Sequence, residues 1–347
     1  MTHESPAVLD RRGLSGGQGG GREKRPAPVF GSWRRWGAWA FGVVLLCGVV
    51  GVVLRIGDIE HFLELARHAQ PLWLLAGVAL QALTYVCAAG VWDVVLARAG
   101  SPRPLAALVP LGLAKLFTDQ AIPSSGVSGS ILVVQSLLRR GIPSPICAGT
   151  LLVGLTSFYT AYGLAVIVSL VVLAWHRAIS PPIVLVAALF SLIAVGVPAG
   201  ALWLRHWMTE RLKRGVERLP GLAMLMRAVA DAPAKLLRDP VLLGKTAVLQ
   251  FLVFVLDAAT LYVMLLAIGS PAVPGVVFAS FVIADAAATV GPIPLGLGAF
   301  EGACTAMLNL LGVPVEAALT ATLLLRGLSF WLPMLPGLWI ARRELRA

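Results

Sequence analysis

The sequence predicts an all-α polytopic membrane protein, with about six full transmembrane helices and two re-entrant helical hairpins in an inverted-topology repeat. Three observations lead to this fold class. Hydrophobic residues make up 58% of the 347 positions and charged residues only 13%. The mean hydropathy of +0.85 lies outside the range of soluble globular domains. Two long apolar regions are each interrupted near their middle by Pro, Gly and Ser.

The net charge and the cysteines exclude several other classes of protein. The formal charge of +11 could indicate nucleic-acid binding, but the Lys and Arg residues lie between apolar runs and no basic segment is interleaved with aromatics. The four Cys residues lie singly inside apolar stretches, without the spacing of a disulfide framework or a metal site. We therefore expect no nucleic-acid partner and no cofactor.

Apolar runs define the order of the predicted elements. Residues 1–33 are rich in Gly, Pro and Arg and are expected to form a disordered basic cytoplasmic tail. Residues 34–341 form the expected membrane domain, and 342–347 a second cytoplasmic tail. Crossing a hydrocarbon core of about 30 Å takes about 20 apolar residues. Runs of that kind lie at 36–53, 71–97, 146–175, 182–204, 246–268 and 315–341.

Two further apolar regions, 104–141 and 272–312, are too long for one helix, and their Pro/Gly/Ser clusters divide them into pieces shorter than a span. Each is predicted to be a re-entrant hairpin. Non-helical backbone at membrane depth is tolerated only where it is buried in protein or lines a wet cavity, because unpaired N–H and C=O groups cost several kcal/mol in lipid. The hairpins therefore imply a hydrated pocket.

The basic residues orient these elements. With the first tail inside the cell, 23 of the 28 Lys and Arg residues face the cytoplasm, whereas Arg55, Arg67 and Arg177 face outward. This asymmetry follows the positive-inside rule, so both termini are expected on the cytoplasmic side of the cell membrane. The first hairpin then enters from the cytoplasm and the second from outside. The linker 205–245 carries nine basic residues, and it is either an amphipathic helix on anionic lipid or a plain loop.

The two hairpins also share a sequence motif. Ile122–Pro123 matches Ile293–Pro294, and Gly141–Pro143 matches Gly312–Pro314, both at an offset of 171 residues. The predicted repeat halves are about 36–175 and 182–341. Because their inferred orientations are opposite, they form an inverted repeat, an arrangement that in secondary transporters places the binding site where the hairpin tips meet.

The segments GPIPLGLGAFEG at 291–302 and LLRRGIP at 137–143 resemble the flippase-like membrane region of lysylphosphatidylglycerol synthases. The second-half signature consists of Pro292, Pro294, Gly296, Gly298 and Glu301. The first half departs from the pattern, because Ser130 and the apolar residues after it stand where members often carry an acidic and then a basic residue. The resemblance implies a stand-alone member without the aminoacyl-transfer domain, so we expect no lipid aminoacylation from this chain alone.

On the first hairpin, Lys115 and Asp119 are spaced i, i+4 and could neutralise each other. They are either a structural pair or part of a functional site, since charge inside a membrane usually has a purpose. The start of the returning half-helix would offer backbone N–H groups to a phosphate. Polar and glycine residues follow at that tip and complete the candidate substrate-binding set of this hairpin: Ser124, Ser125, Gly126 and Ser128.

On the second hairpin, Asp285 lies in the entering half-helix and Glu301 opens the returning one. Glu301 is either a helix-dipole partner or half of a gate with Arg326, which pairs in one state and releases a lipid headgroup in another. The glycine and proline residues of the tip, Pro294, Gly296 and Gly298, belong to the same candidate substrate-binding site. Asp119, Asp285 and Glu301 are candidate proton carriers, whereas the sequence leaves open whether Asp257 faces a wet cavity.

The segment Gly126–Gly129 also spells the GxSG of rhomboid-type proteases. A nucleophilic serine needs a base, and no histidine of this sequence lies well inside a predicted span. No catalytic residue is therefore predicted.

These features favour a non-enzymatic lipid translocase for an anionic phospholipid or polyprenyl-phosphate-type lipid. Membrane lipids are the expected partners, and these lipids are expected to be anionic. The alternative is a non-transporting membrane subunit that presents lipid to a separate synthase or glycosyltransferase, so a lipid-modifying enzyme is a second candidate partner. No phosphate-binding loop of an ATPase is present, so movement would be passive or ion-coupled.

Overall fold

A computed structural model describes residues 69–121, 127–207, 233–291, 296 and 298–346. Throughout these ranges the regular structure is helical. The predicted tail at 1–33 and the first predicted span at 36–53 lie outside the described residues, as does most of the predicted amphipathic helix, at 208–232.

The helices follow the order that the apolar runs predict. They are α1 Pro71–Arg98, α2 Leu105–Ala121, α3 Val127–Arg139, α4 Ser144–Trp175, α5 Pro181–Trp207, α6 Ala234–Leu237, α7 Pro240–Ala267, α8 Pro274–Val290, α9 Ala299–Leu310, α10 Val315–Arg326 and α11 Leu332–Arg346. Four segments are long and apolar enough to cross a membrane, namely α1, α4, α7 and the continuous stretch Val315–Arg342, and α5 contributes the shorter apolar stretch Pro181–Val197. The prediction of an all-α, multi-pass membrane protein is confirmed.

The internal repeat extends to the helix ends and turns. Shifted by 171 residues, the bounds of α4 coincide with those of the unit from α10 to α11, and α1, α2 and α3 fall within two residues of α7, α8 and α9. The turn after each hairpin has the same hydrogen bond: Ile142 N donates to Leu137 O at 3.2 Å, and Val313 N donates to Leu308 O at 3.0 Å. Each turn contains a glycine with positive φ, 77° in the first half and 96° in the second.

The two halves run in opposite directions. The equivalent helices α1 and α7 lie side by side and antiparallel, because Gln70 N donates to Ala267 O at one end. At the other end, Arg98 Nε lies 2.7 Å from Asp239 Oδ2. Corresponding elements of the two halves therefore have inverted topology, as the sequence predicts.

Each hairpin begins on a different side of this antiparallel pair. The first hairpin follows the Arg98 end of α1, and the base of the hairpin lies at that end. There Arg103 Nη2 donates to Arg140 O at 2.6 Å, and Arg140 Nη1 donates to Ala107 O at 3.0 Å. The second hairpin follows the opposite end of α7, at Ala267. The hairpins thus enter from opposite faces of the bundle.

The last predicted span, 315–341, differs from the expected single α-helix, because a π-helical turn at Gly327–Trp331 separates α10 from α11. Pro333 lacks the N–H that would bond Ser329 O one turn back, so this carbonyl is free to accept another donor. Tyr85 Oη on α1 donates to it at 3.2 Å. The proline-induced irregularity is therefore satisfied by a neighbouring helix, as membrane burial requires.

The start of α7 corrects a predicted boundary. The basic linker was expected to reach 245, yet the helix begins at Pro240. Asp239 caps it, since its Oδ1 accepts from the backbone nitrogens of Val241 and Leu242 at 3.1 Å each, and proline suits the first helical position. These local signals extend the helix past the basic Lys245.

Each hairpin packs against one helix of its own half and one helix of the other half. The first hairpin packs against α1 and α11, and the second against α4 and α7. On α11, Gly337 permits close approach to α2, because a Cβ atom there would lie 2.8 Å from both Leu113 O and Phe117 Cβ. This packing fixes the positions of the hairpin tips and of the charged residues beside them.

Candidate functional site

The first charged pair forms at the tip of the first hairpin. Lys115 Nζ lies 2.6 Å from Asp119 Oδ2, so the two side chains that share a helix face are in contact. The lysine side chain is 34% exposed and the aspartate 17%, which leaves both accessible to a water-sized molecule. The pair is therefore partly buried, not sealed in the core.

The carboxylate of Asp119 on α2 also lies at the N-terminus of the returning half-helix, α3. Its Oδ1 accepts from Gly129 N at 2.7 Å, and Ser128 Oγ lies 3.4 Å from the same oxygen while donating to Thr118 O at 3.1 Å. A Cβ atom at position 129 would come within 2.5 Å of the carboxylate, so glycine is needed for this contact. The N–H group that the sequence offers to a phosphate thus already holds an internal anion in this state.

The second hairpin has a matching arrangement. Glu301 lies in the first turn of α9, where its Oε2 accepts from Gly298 N at 2.6 Å. Gly298 and Gly296 adopt φ values of 80° and 61°, which favour glycine. A Cβ atom on Gly296 would also lie 2.7 Å from that of Ala288, so the loop packs closely on α8. The proline-glycine run therefore places Glu301 as a helix cap.

Glu301 simultaneously contacts Arg326, the partly buried arginine of α10. Its Oε1 lies 2.9 Å from Arg326 Nε, with side-chain exposures of 2% and 18%. The guanidinium carbon lies 4.2 Å from the ring centroid of Phe300 and 5.7 Å from that of Phe330. Arg326 Nε has no aligned hydrogen-bond acceptor among the described residues, so charge attraction and ring stacking hold it. The residues of the predicted gate are therefore in contact.

The two tips use the same chemistry from non-equivalent positions. In each, a carboxylate accepts a backbone N–H at the start of a returning half-helix and contacts a cation. Under the 171-residue offset, however, Glu301 corresponds to Ser130 and Asp119 corresponds to Val290. Asp119, from the entering helix, supplies the acidic group that the sequence lacks beside Ser130. The i, i+4 spacing signalled the pair, but only the hairpin geometry reveals the contact with Gly129.

A third polar cluster lies on α1 and α7, near Asp285 and Arg326 of the second half. Gln81 Nε2 donates to Asp257 Oδ1 at 2.9 Å and to Thr260 Oγ1 at 3.1 Å. Asp257 lies well inside its membrane-spanning helix, yet it is partly accessible. A carboxylate that is hydrogen-bonded to polar protein groups at this depth is a candidate functional group.

Asp285, the candidate on the entering helix of the second hairpin, faces this cluster. Its carboxylate lies near Tyr162 on α4, near Arg326 and near Asp257. Tyr162 is 1% exposed, and its hydroxyl has no aligned hydrogen-bond partner in the described part of the chain. No group of three or more His, Cys, Asp or Glu side chains in that part is arranged to hold a metal ion.

Four of the candidate site residues, Ser124, Ser125, Gly126 and Pro294, lie outside the described residues. The remaining eight lie at the two hairpin tips and beside the polar cluster of Gln81, Asp257 and Thr260.

Comparison with known proteins gives the chain a family. The profile described as "Lysylphosphatidylglycerol synthase TM region" matches residues 39–337, which is most of the sequence and includes both hairpins. No curated protein matches the chain. The inverted repeat, the two broken hairpins and this match agree with the resemblance seen in the motif at 291–302. The chain belongs to the family of lysylphosphatidylglycerol synthase transmembrane regions.

Proposed function

We propose that the protein is a flippase-like translocase, which moves an anionic phospholipid or a polyprenyl-phosphate-type lipid between the leaflets without chemical modification. Family membership supports a role connected with membrane lipids. The lipid tails remain in the bilayer, and the headgroup passes through the polar region between the hairpins. The cell membrane is the proposed location, with both termini in the cytoplasm.

The observation that carries this proposal is the pair of cation–carboxylate contacts at the hairpin tips. Lys115 and Arg326 each lie beside a carboxylate that also caps a half-helix. Charges at membrane depth are costly, so each cation needs a neutralising partner at all times. A headgroup phosphate has the charge and the acceptor oxygens to replace Asp119 or Glu301 in that role.

The proposed mechanism is an exchange of anions. In the lipid-free state the internal carboxylate neutralises the cation and occupies the helix N-terminus. When a headgroup enters, its phosphate takes both positions and the carboxylate turns toward water. Because the cation stays neutralised throughout, the exchange avoids the large cost of leaving a buried charge unpaired. The hairpins enter from opposite faces, so each tip serves one side of the membrane.

Leaflet exchange in reconstituted vesicles tests the proposal. The full-length protein is placed in vesicles with a fluorescent phosphatidylglycerol, or with a fluorescent polyprenyl phosphate, and the exposed probe is quenched from outside. Wild-type protein should make the inner-leaflet probe accessible, whereas Glu301→Gln and Arg326→Ala should abolish this. Arg98→Gln is the matched control, because it removes an ion pair of the same type at the exposed end of α1, and exchange should continue.

Binding measured on the same vesicles separates the alternative function. Lipid that copurifies or binds without leaflet exchange would support a non-transporting subunit that presents lipid to a synthase or glycosyltransferase. That outcome would overturn the translocase proposal. Exchange that continues unchanged in folded Glu301→Gln and Arg326→Ala protein would overturn the role of this pair.

A further inference from the structure

The polar cluster of Gln81, Asp257 and Thr260 lies beside Asp285 and the Glu301–Arg326 pair. Together these residues, called the central cluster here, have more acidic groups than cations. Glu301 takes Arg326 as its ion-pair partner. Asp257 and Asp285 have no Lys or Arg within ion-pair distance in the described ranges, and Asp257 is held instead by the amide of Gln81. An ionised carboxylate without a cation is expensive at membrane depth, and two such groups near one another are more so. The cluster therefore needs a positive charge that the described side chains do not supply.

The surroundings of Asp285 indicate where this positive charge binds. The Tyr162 hydroxyl is buried beside Asp285 without an aligned hydrogen bond. A buried hydroxyl is expected to hydrogen-bond, and the carboxylate of Asp285 is an acceptor beside it. A tyrosine hydroxyl both donates and accepts, so it can bond to Asp285 in either its ionised or its protonated form.

We propose that Asp257 and Asp285 form a proton-binding site that holds one exchangeable proton, with Gln81 and Tyr162 as its hydrogen-bond partners. A proton from water adds to a carboxylate oxygen, and it is released to water when the site empties. The groups around the pair suit a proton better than a metal ion. The amide of Gln81 presents its N–H to Asp257, whereas a hard cation needs several converging oxygen ligands.

All the elements packed around the pair agree with this assignment. From α1, Tyr85 faces Asp257, and its hydroxyl is occupied by Ser329 O. From α10, Arg326 faces both aspartates at longer range than it faces Glu301. Within α8, the exposed Thr289 lies one turn beyond Asp285 and donates to its backbone oxygen at 2.9 Å. In the proposed site, a proton enters and leaves along this exposed turn.

The position of Arg326 would couple proton binding to lipid movement, an inference that rests on the proposed function. When both aspartates are ionised, they attract Arg326 in competition with Glu301. A bound proton removes one negative charge and leaves Arg326 with Glu301. Proton occupancy thus biases the same ion pair that the headgroup is proposed to break. A proton gradient would then favour lipid movement in one direction.

Infrared spectroscopy of the full-length protein in vesicles tests the site without requiring lipid movement. At neutral pH, the wild type should show the carbonyl stretch of a protonated carboxyl group, which disappears at high pH. Asp257→Asn and Asp285→Asn should each remove this band, since the two groups share one proton. Tyr162→Phe, which keeps the aromatic packing, should shift the band. Asp239→Asn, at the exposed helix end, is the control and should leave it unchanged.

Three results would overturn the inference: a wild type without the band at neutral pH, a band that survives both aspartate substitutions, or a band that is lost on adding sodium, which would indicate a sodium site. A protein that shows the band but no leaflet exchange would retain the proton site and refute the translocase function. A protein that exchanges lipid but lacks the band would retain the translocase function and refute the proton site.

Discussion

The carboxylate of Asp119 lies 2.7 Å from the backbone nitrogen of Gly129, across the turn of the first hairpin. This contact joins the end of the entering helix to the start of the returning one, and it places the negative charge where the helix dipole favours it. The same carboxylate neutralises Lys115. A single side chain therefore closes the hairpin and holds the cation that we propose as a headgroup site.

We expect Gly129→Ala to disturb the first hairpin, because the added methyl group would lie within 2.5–2.6 Å of all three carboxyl atoms of Asp119. Either the carboxylate leaves the helix start or the hairpin opens. The expected loss is about 1–3 kcal/mol of unfolding free energy, the usual cost of overpacking. Thermal unfolding in detergent measures it.

Gly163→Ala is the control for this substitution, because a Cβ atom there meets open space on α4. It should leave the unfolding temperature unchanged or slightly higher, since alanine favours helix. Equal effects of the two substitutions would argue against the close contact at Asp119.

The Glu301–Arg326 pair should show strong energetic coupling. Glu301→Gln keeps an acceptor for Gly298 N but leaves Arg326 with no anion in contact, and breaking a buried pair in this way costs about 3–5 kcal/mol. Removing both charges, in Glu301→Gln/Arg326→Gln, should cost less than the sum of the single changes. Denaturant unfolding of the four proteins gives the coupling energy. Strictly additive losses would show that the two charges act independently.

The hydrogen bond from Tyr85 to Ser329 O should depend on the proline that frees this carbonyl. Tyr85→Phe removes the donor and should cost about 0.5–1.5 kcal/mol. In a Pro333→Ala background, residue 333 regains the N–H that can bond Ser329 O within the helix, so Tyr85→Phe should cost less. The comparison uses unfolding midpoints of the two pairs of proteins. A penalty of the same size in both backgrounds would contradict the compensation.

Asp239, the N-cap of α7, should make the stability of the fold depend on pH. Its hydrogen bond to Arg98, helped by the N–H groups at the start of α7, holds the pKa of Asp239 below its ordinary value. A lowered pKa means that the ionised form stabilises the fold above the unfolded-state pKa and that this contribution is lost as the pH falls through the folded-state pKa.

Wild type should therefore be more stable than Asp239→Asn at neutral pH, and the difference should shrink in acid. Melting temperatures of both proteins across an acidic to neutral series measure this. A difference that grows as the pH falls would show that the sign is wrong.

Much of the architecture could be read from composition and spacing. Continuous apolar runs predicted α1, α4 and α7, because the length of a membrane span is set by the thickness of the hydrocarbon core. The matched Ile-Pro and Gly-x-Pro segments predicted the repeat, and the asymmetry of basic residues predicted its inversion. Two predicted helix limits differ from the structure. The cap at Asp239 makes α7 begin at Pro240, and the π-helical turn interrupts the last span.

The candidate site was predicted only in part. The spacing of Lys115 and Asp119 indicated their pairing, since residues four apart on a helix are neighbours. Glu301 and Arg326 were selected as buried charges, and the structure brings them into contact. Sequence reasoning missed the role of Gln81 and of Tyr162, because a glutamine or tyrosine in an apolar run has no spacing signal that relates it to an aspartate on a distant helix.

By itself, the sequence determined that the chain is helical, that it spans a membrane and that it contains one broken-hairpin motif twice, because these properties depend on local hydrophobicity and on backbone chemistry. Only the tertiary structure decided that Asp119 accepts the backbone N–H of Gly129, in the way that Glu301 accepts that of Gly298. Asp119 and Glu301 occupy non-equivalent positions in the repeat, yet each caps a half-helix and neutralises a base. Such an equivalence exists in space and not in the order of residues, because it depends on where the packing of separate helices brings each side chain.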